Sequence, residues 1–109
     1  MKFKAIIVII LLSLSVNSAW AAAGWTGYGT VEEIYPVASG VYYVRLNLPS
    51  NPSGCPTDWF YNDGTGSGAN RVYGTLLSGM STAKMLRVYV TGKCDQWGYS
   101  EISSVSVMK

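Results

Sequence analysis

NRVYGTLLSGM, residues 70–80, is the one clear helical pattern in a chain that is otherwise rich in strand-forming residues and glycine. Asn70 is a suitable N-cap residue, whereas Gly74 and Gly79 each weaken a helix by about 1 kcal/mol relative to alanine. The pattern still predicts a helix of about three turns. Its apolar residues recur at the spacing of a single helix face: Val72, Leu76, Leu77 and Met80.

Five strand patterns surround this helix, three before it and two after it. They cover residues 28–37, 41–48, 58–62, 85–91 and 101–108, with turn-forming residues between them. A helix between the third and fourth of five strands is the order of the OB-fold, a small Greek-key barrel. We therefore predict a mainly β domain, a five-stranded OB-fold-like barrel with one helix. An open α+β sheet with the helix on one face is the alternative.

Residues 1–21 have the three parts of a secretory signal peptide. Lys2 and Lys4 form the basic region, residues 5–14 are apolar except for one serine, and Ala19-Trp20-Ala21 fits a signal-peptidase site. A cut after residue 23 is also consistent with the alanines there. The apolar run is shorter than the ~20 residues that span a bilayer. We predict cleavage, no membrane span afterwards, and a single periplasmic or extracellular domain of residues 22–109.

Cys55 and Cys94 are the two cysteines of the chain, and both lie in the predicted mature part. Only one intramolecular pairing is open to them, and an oxidising compartment favours it. A bridge that closes a loop of about 40 residues stabilises a small domain by roughly 3–4 kcal/mol. The sequence therefore predicts a Cys55–Cys94 disulfide.

The charge of the predicted mature part argues against nucleic-acid binding. The chain has eight Lys and Arg against six Asp and Glu, and Lys2 and Lys4 leave with the signal peptide, so the remaining net charge is zero. Nucleic-acid binding needs a basic surface. The absence of histidine removes the commonest general base and most zinc sites. We predict a binding module with no catalytic residues, no metal and no cofactor.

Several short motifs occur in the order found in small secreted proteins similar to the B subunit of subtilase cytotoxin, and the chain resembles that family. The resemblance implies an OB-fold and, as a hypothesis, glycan binding by a homo-oligomer; in the toxin it implies a pentamer that binds sialylated glycans on host cells. The motifs are GTVEEI (29–34), GVYYVRL (40–46), Cys-Pro (55–56), paired leucines (76–77), LRVYV (86–90), Gly-x-Cys (92–94) and Ile-x-x-Val-x-Val (102–107).

Aromatic residues form the candidate ligand-binding site. Sugars lay their apolar faces on aromatic rings while polar neighbours bind their hydroxyls, and the mixed character of Tyr and Trp suits this. The third strand and the loop before the last strand carry such residues, and OB-folds bind ligands through these regions. The predicted ligand-binding residues are Trp59, Tyr61, Asn62, Trp97 and Tyr99.

A structural or assembly protein of the cell envelope, with no small ligand, is the alternative function. Tyr28, Tyr35, Tyr43 and Tyr89 are expected to be exposed, and aromatic residues are enriched at subunit interfaces. Either Trp59 or Phe60 would then fill the interior of the barrel.

Overall fold

The computed structural model describes residues 22–109, so the predicted signal peptide lies outside the described residues. All five predicted strands and the helix between the third and fourth of them are present. Among the described residues, no helix combines the length and the hydropathy needed to cross a membrane. The elements are β1 (Gly24–Trp25), β2 (Thr30–Pro36), β3 (Tyr42–Asn47), β4 (Trp59–Asn62), α1 (Ala69–Ser81), β5 (Leu86–Cys94) and β6 (Ser100–Val107).

The strands form one six-stranded mixed sheet in the order β1-β5-β6-β4-β3-β2. Strands β4 and β6 are parallel, and the other neighbours are antiparallel. Strands β1 and β2 therefore form the two edges of the sheet. The prediction of a closed five-stranded barrel is wrong in strand number and closure, although the prediction of a mainly β domain is confirmed.

The difference in strand number arises because a short strand that the sequence does not predict, β1, precedes the first predicted strand. Strand β1 pairs with β5, and β2, which corresponds to the first predicted strand, pairs with β3. Between them Gly29 makes an isolated bridge to Leu86, with N–H···O bonds of 2.8 and 2.9 Å in the two directions. A methyl group on Gly29 would overlap the carbonyl of Asn47. The chain thus passes from one edge of the sheet to the other through a position that only glycine fits.

The core lies on one face of this sheet. Strand β3 alternates buried and less buried residues, so Tyr42, Val44 and Leu46 face inward as the sequence predicts. The Tyr42 hydroxyl donates a 3.3 Å hydrogen bond to the carbonyl of Ala69. Burial, with a smaller effect of the Asp63 carboxylate, raises the pKa of Tyr42 to about 12. The buried cluster comprises Tyr42, Val44, Leu46, Phe60, Leu76, Leu86, Val88, Val90 and Ile102.

Helix α1 covers this core with a face slightly different from the predicted one. Ala69, Leu76 and Gly79 are buried, whereas Met80 is 38% exposed. A Cβ atom at position 79 would approach Leu86 Cδ2 to 2.7 Å. The glycine that weakens the helix pattern therefore lets α1 lie close to β5. The helix begins at Ala69, and its N-cap is Gly68, which makes no side-chain hydrogen bond. The predicted N-cap, Asn70, therefore lies inside the helix.

The predicted disulfide is confirmed, with the Cα atoms of Cys55 and Cys94 5.7 Å apart. It joins the loop between β3 and β4 to the last residue of β5. Ser53 in the same loop also contacts β6, because its hydroxyl lies 2.9 Å from that of Ser100. The Ser53 hydroxyl accepts a 3.1 Å hydrogen bond from the Cys55 N–H as well. A covalent bond and a buried hydroxyl pair thus hold this loop against the end of the β5–β6 hairpin.

Candidate functional site

The outer face of the sheet carries a group of aromatic side chains in mutual contact, which we call the aromatic patch. Strand register explains their convergence: Tyr35 on β2 lies opposite Tyr43 on β3, and Trp59 on β4 lies on the same face, opposite the residue two positions after Tyr43. Tyr99 ends the loop that leads into β6, beside the start of β4. The patch consists of Tyr35, Tyr43, Trp59, Trp97 and Tyr99.

The rings of the patch form a continuous chain of contacts. Tyr35 stacks on Tyr43 with ring centroids 5.0 Å apart and meets the edge of Trp59 at 5.5 Å. Tyr99 stacks on Trp59 at 6.0 Å and meets Tyr43 edge-on at 5.8 Å. Trp97 extends the chain from Tyr99 at 6.1 Å. These separations fall within the range of favourable aromatic pairs.

Part of the patch remains open to solvent. Trp97 is 58% exposed and Tyr35 is 39% exposed. Together with Val37, Tyr43 and Tyr99 they line a shallow cavity of about 290 Å³. The patch therefore offers a concave apolar surface edged with tyrosine hydroxyls.

The loop that carries Trp97 is held by its own backbone and by Asp95. The Asp95 Oδ1 atom accepts hydrogen bonds of 2.9 Å from the N–H groups of both Trp97 and Tyr99. The Asp95 backbone pairs with Tyr99 and Gly98 at 2.9 and 3.0 Å. One carboxylate thus fixes the backbone on either side of the exposed tryptophan.

The neighbouring loop, residues 49–57, supports this turn from outside. Gly98 adopts a φ of +81°, and a Cβ atom there would lie 2.7 Å from Pro56 Cγ. The Thr57 hydroxyl donates a 3.0 Å hydrogen bond to the Gly98 carbonyl. Cys55, which forms the disulfide, lies just before Thr57 in the same loop. The Trp97 loop is therefore positioned before any ligand arrives, which lowers the entropy cost of binding.

Tyr61, a predicted site residue, lies on the same face of β4 as Trp59 but is only 9% exposed. It pairs with Tyr43 on one side and with Glu101 on the other. Burial, followed by the Glu101 and Asp95 carboxylates, raises its pKa. Tyr61 therefore borders the patch as a supporting ring and offers little surface to a ligand.

Asn62 is the predicted site residue that the structure does not bring to the patch. Its Nδ2 donates a 2.7 Å hydrogen bond to the Ile102 carbonyl, and its Oδ1 accepts a 2.8 Å bond from the Gly64 N–H. Both ends of the side chain thus join β4 to β6 and to the following turn.

Sequence reasoning placed Tyr35 and Tyr43 in an assembly surface, and the structure places them in the patch. The signal that links them to Trp59 is cross-strand register, which depends on a bulge between Val31 and Glu33 in β2. The side chains of Glu33 and Arg45 make a 3.8 Å ion pair next to the patch. Tyr35 has a raised pKa, chiefly because the ring loses hydration and further because of Tyr99, Tyr43 and Glu33.

The other two tyrosines of that predicted surface, Tyr28 and Tyr89, lie elsewhere. The guanidinium carbon of Arg87 lies 4.5 Å from the ring centroid of Trp25 and 5.1 Å from that of Tyr28. Trp25 in turn meets Tyr89 edge-on at 5.5 Å. We call these four residues the Arg87 cluster: Trp25 on β1, Tyr28 just after it, and Arg87 and Tyr89 on β5.

The structure offers no metal centre among residues 22–109, where no three Cys, Asp or Glu side chains converge. The aromatic patch is the candidate site, because its rings contact one another and Trp97 and Tyr35 are exposed. No protein-family model matches the chain, and neither a curated protein nor a solved structure is significantly similar to it.

Proposed function

We propose that this chain is a secreted, non-enzymatic module that binds a glycan on the aromatic patch. One observation carries the proposal: five aromatic rings from three strands and one anchored loop form a single, partly exposed surface. A monomer that used these rings only for its core would bury them. Here Trp97 and Tyr35 are exposed while Phe60 fills the interior.

The chemistry of the patch suits a sugar better than a charged polymer. Tyrosine and tryptophan rings accept the apolar faces of sugars, and their hydroxyl and N–H groups bind the sugar hydroxyls. Single-stranded nucleic acids also stack on aromatic rings but need basic residues along the backbone path. Arg45 beside the patch is already paired with Glu33.

The position of the patch supports an OB-like scaffold as part of the proposal. The helix lies between β4 and β5 in the chain, and the strands β4 and β6 are parallel. The Gly29–Leu86 bridge pairs the residue just before β2 with the start of β5. The patch occupies the outer face of β3 and β4 together with the β5–β6 loop. Oligosaccharides bind to the corresponding strand face and loop of OB-folds.

The secreted location rests on the signal-peptide pattern of residues 1–21 together with the disulfide, which persists in oxidising compartments. The resemblance to proteins similar to the subtilase cytotoxin B subunit adds a homo-oligomer to the proposal. Native mass spectrometry of the purified protein measures that stoichiometry directly.

A glycan array with purified residues 22–109 tests the function, followed by calorimetric titration of each hit. We expect Trp97→Ala to weaken binding at least about tenfold, because stacking on one exposed ring contributes on the order of 1–3 kcal/mol in comparable recognition. Trp25→Ala is the matched control, since Trp25 is 40% exposed but lies outside the patch. It should leave the affinity for uncharged glycans unchanged.

Absence of any glycan binding by the folded protein would contradict the proposal. Equal loss of affinity in Trp97→Ala and Trp25→Ala would also contradict it, because the patch would then not be the site. Either result would favour the structural or assembly role in the cell envelope.

A further inference from the structure

The Arg87 cluster has a feature that the glycan proposal does not use, a cation held in place by aromatic rings. The Arg87 guanidinium lies between Trp25 and Tyr28, at 4.5 and 5.1 Å from their ring centroids. Cation–π contacts of this kind fix the plane of the guanidinium. Trp25 is fixed in turn by its edge-on contact with Tyr89 and by the pairing of β1 with β5.

This cation has no anionic partner within the part of the chain that the structure describes. There, the ion pair closer than 4.0 Å joins Arg45 to Glu33 and does not involve Arg87. The Nε atom of Arg87 is buried and has no hydrogen-bond acceptor among residues 22–109. A buried donor without an acceptor is costly and calls for a specific explanation.

Two serines on the neighbouring strand share the outer face of the sheet with Arg87. Ser106 is opposite Arg87 in the β5–β6 ladder, and Ser104 is opposite Tyr89. Both serines are half-buried. This outer surface therefore combines one fixed cation, two serine hydroxyls and an exposed tryptophan ring.

We propose that the outer face of β5 and β6 carries a second binding site, in which Arg87 binds a carboxylate. Because the Nε atom is buried, the carboxylate is bound through the two Nη groups, whose N–H bonds match the two oxygens of a carboxylate. The serine hydroxyls supply further donors, and Trp25 packs against the apolar part of the same ligand. The site is separate from the aromatic patch and does not depend on the glycan proposal.

The carboxylate has two chemical sources that share this recognition, an acidic sugar and an amino-acid-type acid. Glucuronate and N-acetylglycine represent the two sources, glucose is the uncharged control, and inorganic phosphate tests for general anion binding. Each is titrated into the ¹⁵N-labelled protein at constant ionic strength. The signals observed are the Arg87 Nε–Hε group and the Trp25 indole N–H.

We expect at least one carboxylate to shift both signals in a saturable way, while glucose shifts neither and phosphate binds more weakly. Arg87→Lys keeps the charge but loses the planar pair of donors, so the dissociation constant should rise about tenfold. This variant also assigns the Nε–Hε signal by its disappearance. A thermal melt establishes that the variant is folded.

Arg45→Gln is the matched control, because Arg45 is an exposed-face arginine that already has a carboxylate partner. It should leave the carboxylate affinity unchanged. The proposal is overturned if neither carboxylate gives a saturable shift. It is equally overturned if Arg87→Lys and Arg45→Gln weaken binding to the same extent, since general charge attraction would then explain the result.

Discussion

The aromatic patch and the Arg87 cluster both present an exposed tryptophan beside tyrosines, but they are held in place by different means. Trp97 sits on a loop fixed by Asp95, by Thr57 and by the nearby disulfide. Trp25 sits in a strand and is fixed by β5 and by the Arg87 cation. The patch therefore depends on a covalent link between the β3–β4 loop and the end of β5, and the cluster depends on strand pairing.

Removal of the disulfide is expected to have the largest effect and to act on the patch first. The double variant Cys55→Ser, Cys94→Ser should lose about 3–4 kcal/mol of unfolding free energy, because a closed loop of 39 residues no longer restricts the unfolded chain. Urea denaturation measures the loss. In the native state the indole N–H signal of Trp97 should move in NMR spectra while that of Trp25 stays in place.

Asp95→Ala is a milder version of the same test and keeps the disulfide. It removes the acceptor of two backbone N–H groups and should cost about 1 kcal/mol. If the two tryptophan signals moved equally in both variants, the patch and the cluster would not be independently anchored.

Alkaline pH distinguishes Tyr42, on the core face of the sheet, from the tyrosines on the outer face. The pKa of Tyr42 is raised to about 12 from an ordinary value of 10.0, so the folded state holds this proton more tightly than the unfolded chain does. Its contribution is complete below pH 10 and is lost as the pH rises from 10 to about 12. The expected fall in unfolding free energy is on the order of 1–2 kcal/mol, since one pKa unit corresponds to about 1.4 kcal/mol and solvent screening reduces the effect.

Tyr42→Phe should make this alkaline decline smaller, and denaturation curves between pH 9 and pH 11.5 measure the difference, with pH limits chosen around the ordinary tyrosine pKa of ~10. Tyr35 and Tyr61 also have raised pKa values, so a weaker decline should remain in the variant. An unchanged decline would show that the outer tyrosines, and not Tyr42, determine alkaline stability.

Removal of either exposed tryptophan should lower the stability of the protein by a smaller amount, and the two losses should differ. Trp25→Ala removes a cation–π contact and an edge-on aromatic pair and should cost about 1 kcal/mol. Trp97→Ala removes a ring that is mostly in water and should change stability by less than about 0.5 kcal/mol. Thermal denaturation compares them, and equal losses would remove the distinction between a ring used for folding and a ring available to a ligand.

The sequence predicts the strands, the helix and the disulfide because each depends on a local pattern or on a single possible pairing. Alternation in residues 41–48 indicates which side of β3 is buried, and the observed burial agrees. Strand β1 is not visible in this way. Its two residues pair with Val90 and Tyr89, which are distant in sequence.

The composition of the patch is only partly predictable for the same reason. Trp59, Trp97 and Tyr99 stand out as aromatic residues in the expected strand and loop. Tyr35 joins them through strand register, and register is set by tertiary pairing. Asn62 looks like a ligand-binding amide in the sequence, but its side chain hydrogen-bonds the backbone of Ile102, which is distant in sequence, and of the nearby Gly64.

Thr26, which directly follows β1, has a consequence for the order of folding. Thr26 accepts a hydrogen bond from the N–H of Val88, which is 62 residues later in the chain, and its own N–H donates to the Val88 carbonyl. Contacts of such long range slow folding because a large loop must close first. The segment around Thr26 is therefore among the last to find its partner, and it stays exposed to proteases and chaperones until β5 has been synthesised.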